Sequence, residues 1–318
     1  MLALTLNQGR LALNPDYPQP TPGPGEALLK VRQAGICGTD LALTAGYKGG
    51  FSGVLGHEYV ADVMAAPGNE HWVGQRVVGE INTVCGTCDH CQRGLRTHCQ
   101  NRSVLGILKW DGAFAEYLVT PVYLLHAVPE AVSDDMAVFT EPLAAAYAAL
   151  RDVPAGVGER VIIFGDGRLG QLIALVFQSE GYHPLLIGHH PDKLALAAQA
   201  GVQTALQAPV GQEFDIAVDV TGSASALQEI FSVLRPRGAL ILKTTSAYPT
   251  TLDMSPIVVN EWQLIGSRCG PFERALEAMA SGRIDPRPLI SARYPLAQAL
   301  QAFEQARQRT SLKIILEP

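Results

Sequence analysis

Charged residues are scarce in this sequence, and it has neither a basic run nor a long apolar run. Only 17% of the residues are charged and the formal net charge is −6, which argues against nucleic acid or an anionic membrane as a partner. No apolar stretch approaches the roughly 20 residues that span a bilayer. Residues 1–8 lack the basic start and apolar core of a secretory signal. We therefore expect a cytoplasmic protein without a membrane segment.

Cysteine is also sparse, and its distribution is uneven. Of six cysteines, Cys37 and Cys269 stand alone. The other four share one short segment, and they are Cys85, Cys88, Cys91 and Cys99. A secreted disulfide scaffold would spread an even set of cysteines through a small chain, so this pattern indicates a reducing compartment and metal ligation.

The apolar content, by contrast, is sufficient for folded domains. A length of 318 residues suggests about two domains at roughly 150 residues each, and 47% of the residues are hydrophobic. Up to residue 125, short β-like segments are separated by Gly, Pro and Asn, which predicts a mostly antiparallel β domain. From Ser133 onward strands and helices alternate, which predicts a parallel sheet covered on both faces.

The four clustered cysteines predict a structural zinc site. Their spacing allows one loop to supply four thiolates, which close a tetrahedral shell with no open position. A disulfide or redox dithiol, or an iron–sulfur cluster, is the alternative for such a set. The inferred compartment and the spacing favour zinc.

A glycine-rich turn predicts a dinucleotide site. Residues 165–170 read Gly-Asp-Gly-Arg-Leu-Gly and match G-x-G-x-x-G, between a predicted strand (161–164) and a predicted helix (169–180). Such a turn places a pyrophosphate against free N–H groups at a helix N-terminus. The candidate cofactor-binding residues here are Gly165, Gly167, Arg168 and Leu169. The alternative is a glycine-rich turn without a ligand.

The residues that follow the second strand of the predicted parallel sheet predict which dinucleotide binds. An NAD site usually has an Asp or Glu there that binds both ribose hydroxyls. Residues 184–187 form this strand, and Gly188, His189 and His190 follow without a carboxylate. The glycine would remove repulsion toward a 2′-phosphate, and the histidines, Arg168 or Lys193 could donate to it. We therefore expect NADP rather than NAD.

A second metal site is predicted near the N-terminus. Cys37, His57 and Glu58 offer the three ligand types that Zn²⁺ accepts, and a catalytic zinc keeps one position open. The Thr39 hydroxyl lies two residues from the thiolate and could take a proton from a substrate. The alternative is a buried Cys with an unrelated His. Glu141 precedes the helix that enters the glycine-rich domain, where it either faces the metal or is an ordinary first-turn acid.

Together, these motifs resemble the zinc-containing medium-chain dehydrogenase/reductase superfamily of alcohol and polyol dehydrogenases. The resemblance rests on residues 35–40, 56–58, 85–99, 141–143 and 165–170. It implies a mostly β, GroES-like catalytic domain with both zinc sites, from residues 1–142 and 266–318. It also implies an α/β Rossmann domain with a doubly wound parallel sheet, from residues 143–265. A homodimer or homotetramer is expected on the same ground.

The resemblance also implies roles for the metal-site residues. Cys37 and His57 would be ligands of the catalytic zinc, and Glu58 a direct or intermittent ligand. Glu141 occupies the third-ligand position of polyol-type members. Asp40 matches the carboxylate that orients the histidine ligand.

On the cofactor side, Lys193 matches a contact to the adenosine ribose and Lys313 a contact to the pyrophosphate. Two positions depart from the family pattern. Ala42 replaces a histidine that ends a proton relay in many members, so the proton must leave from Thr39 by another route. Gly188 replaces the ribose-binding acid.

The expected activity is the reversible oxidation of a small-molecule alcohol (a polyol, sugar or secondary alcohol) to its carbonyl compound. Zinc would act as the Lewis acid, Thr39 would take the proton and the nicotinamide would accept the hydride. One alternative is a zinc-independent enone or quinone reductase, which the Cys/His/Glu set disfavours. A non-catalytic NADPH-binding protein on the same fold is the other.

Overall fold

The computed structural model describes residues 1–47, 51–245 and 251–318, which form two compact units. The first unit comprises Met1–Glu141 and Asp285–Pro318, and the second comprises Pro142–Ile284. Within the described ranges, no helix combines the length and apolar character needed to cross a membrane.

The secondary structure elements are numbered in chain order. The strands are β1 (Ala3–Asn7), β2 (Arg10–Asn14), β3 (Glu26–Ile36), β4 (Gly53–Val54), β5 (Glu58–Ala65), β6 (Arg76–Gly79), β7 (Val104–Leu105), β8 (Lys109–Trp110), β9 (Tyr117–Pro121), β10 (Leu125–Ala127), β11 (Val161–Phe164), β12 (Leu185–Ile187), β13 (Gln203–Ala205), β14 (Phe214–Asp219), β15 (Leu234–Leu242), β16 (Gln263–Gly266), β17 (Ile290–Pro295) and β18 (Lys313–Glu317). The helices are α1 (Gly38–Thr44), α2 (Asp89–Gln92), α3 (Asp134–Ala137), α4 (Thr140–Arg151), α5 (Arg168–Ser179), α6 (Pro191–Gln199), α7 (Ala224–Val233), α8 (Ser255–Val259), α9 (Phe272–Ala280) and α10 (Ala299–Ala306).

The first unit is organised around a sheet in the order β10-β6-β5-β3-β18-β17, with β9 also paired to β3. Strand β3 buries alternate residues over much of its length, as a strand with one face on a core does. Strand β18 pairs antiparallel with β3, so the C-terminal segment is part of the N-terminal sheet. Helix α10 contributes Phe303 to the core, where its ring meets that of Phe114 edge to face at 5.9 Å. The unit is therefore a mostly β domain, as predicted.

The second unit is a parallel six-stranded sheet in the order β13-β12-β11-β14-β15-β16. Numbered within the unit, this order is 3-2-1-4-5-6, that of a doubly wound dinucleotide-binding fold. The central strands β11 and β14 are buried at every position, because a parallel sheet is covered on both faces. The predicted Rossmann fold is confirmed.

The structure differs from the sequence prediction in several short elements. Helix α1 lies in the N-terminal region that was predicted to have loops between strands. Strands β13 and β17 and helix α8 were not predicted. These elements have three to seven residues, too few for a clear hydrophobic period.

The boundary between the units also differs at one end. The prediction placed it after residue 265, whereas the structure places it after Ile284. The reason is that α9 packs within the second unit. Its Arg274 lies over the Tyr147 ring at 5.1 Å and pairs with Glu180 at 3.1 Å. Just before this helix, Gly270 approaches the backbone of α4 so closely that a Cβ would lie 1.8 Å from the Ala144 oxygen.

Candidate active site

The end of β3 presents the first candidate ligand. Cys37 follows β3 and stands at the N-cap of α1 with extended backbone angles. Asp40, in the first turn of this helix, is fully buried, and its Oδ2 accepts a hydrogen bond from the Cys37 N–H at 2.8 Å. One carboxylate therefore fixes the backbone that carries the thiol. The Thr39 Oγ1 lies 3.8 Å from the Cys37 Sγ, beside the candidate ligand.

A cluster of three glycines holds the backbone just before His57. Gly56 has φ +98°, and a Cβ there would lie 2.5 Å from the Phe114 ring. Cβ atoms on Gly106 and Gly112 would lie 2.4 and 2.2 Å from the Gly56 oxygen. Three backbone segments thus meet at distances that only glycine permits. Their contact fixes where His57 and the residue after it project.

The structure brings three of the predicted zinc ligands together. One ligand atom from each of Cys37, His57 and Glu58 lies within 4.8 Å of the others. Zinc bonds of about 2.0–2.3 Å put two ligand atoms of one ion roughly 3–4 Å apart, so a small adjustment would close this group around the metal. His57 and Glu58 are nearly fully buried. Cys37 is half-buried, and a thiol, an imidazole and a carboxylate grouped in this way fit Zn²⁺.

The electrostatics of this group favour a positive charge. The His57 Nδ1 lies 3.4 Å from the Asp40 Oδ1, which leaves the other ring nitrogen for a metal. Burial alone would lower the pKa of His57, but the Asp40 carboxylate and the Cys37 sulfur outweigh it and hold that pKa well above its ordinary value. A divalent cation would satisfy the same negative surroundings.

Glu58 has a second partner that the sequence did not reveal. The ammonium group of Lys313 contacts the Glu58 carboxylate, and both side chains are 1% exposed. Strand β18 lies next to β3, so Lys313 reaches across Gly35, where a Cβ would lie 2.7 Å from the Glu58 Oε2 and 3.2 Å from the Lys313 Cδ. A zinc ion at this site would compete with Lys313 for Glu58. The predicted contact between Lys313 and a pyrophosphate stays a prediction.

Glu141 is placed differently from the three grouped ligands. It lies in the first turn of α4, half-buried, and is not part of the group whose ligand atoms lie within 4.8 Å of one another. Its role as a further zinc ligand stays a prediction.

The four clustered cysteines also meet in space. Their sulfur atoms all lie within 4.8 Å of one another, and the Cys99 Sγ lies 3.5 Å from that of Cys85 and 3.9 Å from that of Cys88. A tetrahedral zinc–sulfur shell has sulfur atoms about 3.8 Å apart, whereas a disulfide needs about 2.05 Å. The spacing therefore fits a zinc ion and excludes a disulfide here.

Backbone donors prepare this loop for a cation. The N–H groups of Thr87 and Cys88 hold the pKa of the Cys85 thiol at about 5. Burial and then the sulfur atoms of Cys88 and Cys99 raise the pKa of Cys91 to about 12. Four sulfur atoms cannot all ionise side by side without a cation, and a metal ion removes that conflict.

In the second unit, the glycine-rich turn joins β11 to α5 as predicted. Gly165 has φ +118° and donates its N–H to the Ile187 oxygen at 2.8 Å. Gly167 is the N-cap of α5, and a Cβ there would meet nothing within 4 Å. A Cβ on Gly170 would lie 1.8 Å from the Gly165 oxygen. The first turn of α5 therefore has open space in front of Gly167, where an anion can approach the N–H groups, those of Arg168 and Leu169 included.

An acid from another segment lies at the end of β12, and sequence reasoning missed it. Asp166, from the glycine-rich turn, lies directly against Gly188, and its Oδ2 accepts the His190 backbone N–H at 2.8 Å. His189 is exposed, whereas Lys193 is 8% exposed and its pKa is lowered by burial. The sequence prediction placed a 2′-phosphate beside Gly188, but the Asp166 carboxylate lies there. The signal in the sequence was an acid between the first two glycines of the motif.

Two family models match the chain, and both describe dehydrogenases. The alcohol dehydrogenase GroES-like domain matches residues 23–130, and the zinc-binding dehydrogenase domain matches residues 196–316. The L-threonine 3-dehydrogenase of Saccharopolyspora erythraea is 31% identical over 95% of this chain and 94% of its own length. The chain belongs to the zinc-containing medium-chain dehydrogenase/reductase superfamily. As a member of this superfamily, it is a zinc- and NAD(P)-dependent oxidoreductase that interconverts an alcohol and its carbonyl compound.

Solved structures of other superfamily members agree with the fold over the whole chain. A zinc-binding dehydrogenase of Sinorhizobium meliloti bound to NADP has a TM-score of 0.90, 26% identity and coverage of 100% of this chain and 99% of its own. An alcohol dehydrogenase of Escherichia coli complexed with NADH has a TM-score of 0.91, 25% identity and the same coverage. The fold is thus compatible with either dinucleotide.

Proposed function

We propose that this enzyme oxidises a small polar secondary alcohol or polyol, with its catalytic zinc held by Cys37, His57 and Glu58. The observation that supports this most strongly is the convergence of these three ligand atoms within 4.8 Å, with the Asp40 carboxylate behind the histidine. A further support is the similar L-threonine 3-dehydrogenase, which is named for L-threonine, a substrate with a secondary hydroxyl group.

The side chains around the metal site have separate roles. Bound zinc would supply a Lewis acid that lowers the pKa of a substrate hydroxyl, and a bound nicotinamide would supply the hydride acceptor. Asp40 holds His57 in the orientation for ligation and fixes the Cys37 backbone. Thr39, whose Oγ1 lies beside the Cys37 sulfur, takes the substrate proton. Because Ala42 cannot relay that proton, it leaves Thr39 by another route.

The other assignments are also proposals. We place both zinc ions in the first unit, with the structural ion on Cys85, Cys88, Cys91 and Cys99, and the dinucleotide on the glycine-rich turn of the second unit. The supporting observations are the sulfur–sulfur spacing and the open approach to Gly167. The clustered thiols support a cytoplasmic location, and the family resemblance supports a homodimer or homotetramer. For the cofactor, the position of Asp166 supports NAD instead of the predicted NADP.

An alcohol screen on metal-depleted and zinc-reloaded enzyme tests the function. The panel contains polyols, sugars, secondary alcohols and L-threonine, each with NAD⁺ and NADP⁺, and reduced nicotinamide is followed by its absorbance. We expect turnover of at least one alcohol, only after zinc is restored. Reduction of an enone or quinone by metal-free protein would support the zinc-independent alternative. Dinucleotide binding without turnover of any substrate would support a non-catalytic protein.

A further inference from the structure

The strand that usually carries the ribose-binding acid lacks one here. Strand β12 ends at Ile187, and Gly188 is the residue at its tip. A strand-end acid accepts hydrogen bonds from the 2′- and 3′-hydroxyls of the adenosine ribose and repels a 2′-phosphate. Without another carboxylate at this position, the second unit would have no such discrimination.

The glycine-rich turn places a carboxylate at that position. A Cβ built on Gly188 would lie 2.3 Å from both the Cβ and the Oδ2 of Asp166. The Asp166 side chain therefore occupies the volume in which a side chain on residue 188 would begin. The two positions are exclusive: with Asp166 in the turn, only glycine fits at the strand end.

Hydrogen bonds fix this carboxylate in place. The Asp166 Oδ2 accepts the His190 backbone N–H at 2.8 Å, and the His190 Nδ1 lies 3.0 Å from both carboxylate oxygens. The Gln171 Nε2 donates to the backbone oxygens of Asp166 at 3.3 Å and Lys193 at 2.8 Å, which joins the turn to the start of α6. A carboxylate has about four acceptor positions, so about one or two remain for a ribose diol, depending on whether the His190 Nδ1 occupies two positions or one.

Nearby cations do not provide an unopposed phosphate site. Arg168 is the first residue of α5, at the helix end where a pyrophosphate would bind. Lys193 is 8% exposed and has Asp166 among its charged neighbours. The Asp166 carboxylate would face a 2′-phosphate directly, and its negative charge opposes the attraction that Lys193 and Arg168, which are charged neighbours of each other, would exert on that phosphate.

We propose that Asp166 acts in place of the missing strand-end acid and selects NAD over NADP. This inference rests on the proposed dinucleotide site and adds the residue that determines its specificity. The sequence suggested that Gly188 makes room for a 2′-phosphate. In the structure it makes room for the Asp166 carboxylate instead.

The test is direct binding of NADH and NADPH to the zinc-loaded protein, measured by nicotinamide fluorescence. Wild type should bind NADH at least roughly tenfold more tightly, and Asp166→Asn should reduce that ratio roughly tenfold or more, mainly by improving NADPH binding. Asparagine keeps the size and one oxygen acceptor for the His190 N–H, and circular dichroism checks the fold. Asp192→Asn is the matched control: it removes an equal charge from an exposed position in the first turn of α6 and should leave the ratio unchanged.

The outcomes separate this inference from the function it rests on. A wild type that binds NADPH as tightly as NADH, or more tightly, would overturn the role of Asp166 while leaving the dehydrogenase assignment intact. An Asp166→Asn variant that loses both ligands equally would show a merely structural role for this residue and would also overturn it. A wild type that binds neither dinucleotide would refute the cofactor site itself.

Discussion

Changing each of two glycines of the dinucleotide turn to alanine should impair a different property, stability in one case and cofactor binding in the other. At Gly167 the backbone has φ −72° and ψ −179°, which any residue adopts, and an added Cβ would meet nothing within 4 Å. At Gly170 the same atom would lie 1.8 Å from the Gly165 oxygen and 3.1 Å from the Val220 Cγ2. The first change adds a methyl group to open space, and the second forces α5 away from the turn after β11.

The magnitudes follow from these distances. Real Cβ atoms essentially never approach other atoms closer than 3.0 Å, so Gly170→Ala must separate helix and turn by roughly 1 Å. Overpacking of this kind costs about 1–3 kcal/mol or more, and a unit of this size loses about 3 °C of Tm per kcal/mol. We therefore expect Tm to fall by about 3–10 °C. For Gly167→Ala, losses at the cap and gains from a stiffer unfolded chain nearly cancel at a few tenths of a kcal/mol each, so Tm should hold within about 2 °C.

Gly167→Ala should impair cofactor binding although it leaves the stability of the protein almost unchanged. A methyl group at position 167 would keep the pyrophosphate from the backbone of the turn, so we expect Gly167→Ala to weaken NADH binding roughly ten- to a hundredfold at an unchanged Tm. Differential scanning calorimetry and fluorescence titration measure the two quantities. The reasoning would be refuted if Gly167→Ala bound NADH like wild type, or if Gly170→Ala melted like wild type.

Three further changes test the metal sites. Cys88→Ser should remove one zinc ion per chain and lower Tm, because the loop around it has little core of its own; an unchanged Tm would argue against a structural metal. Asp40→Asn should weaken zinc binding at the His57 site about 10- to 100-fold in a competitive chelator titration, since it removes the charge that orients the ring; equal affinity would contradict this. Lys313→Met should destabilise zinc-depleted protein by about 3–5 kcal/mol, because it leaves the Glu58 carboxylate buried without a cation. Zinc-loaded protein should lose less, and equal losses would count against Glu58 as a ligand.

The elements that could be predicted from sequence are those whose signal is local. The strand 161–164 and the turn after it are contiguous, so the apolar run and the glycine spacing were enough to predict β11, the turn and α5. The four cysteines are similarly contained within one loop. Most elements of the doubly wound sheet followed from alternation along the chain, whereas short pieces such as β13 and α8 gave no period.

What could not be predicted depends on contacts between distant segments. The resemblance implied that residues 266–318 return to the N-terminal domain. Lys313 meets Glu58, however, only because β18 pairs with β3, and no spacing in the sequence indicates that pairing. The acid at the end of β12 was missed for the same reason, since Asp166 belongs to a different turn. The prediction of NADP considered only the residues of that strand, and the structure adds an acid from another turn.

The most direct test of the central claim is the zinc content of Cys37→Ser measured together with its alcohol oxidation and NADH affinity. Wild type should hold about two zinc ions per chain. The variant should keep about one, bind NADH normally and oxidise no alcohol that wild type oxidises. A variant that retained both metal ions, or that oxidised the alcohol at the wild-type rate with one, would contradict the assignment of the catalytic zinc to the Cys37, His57 and Glu58 group.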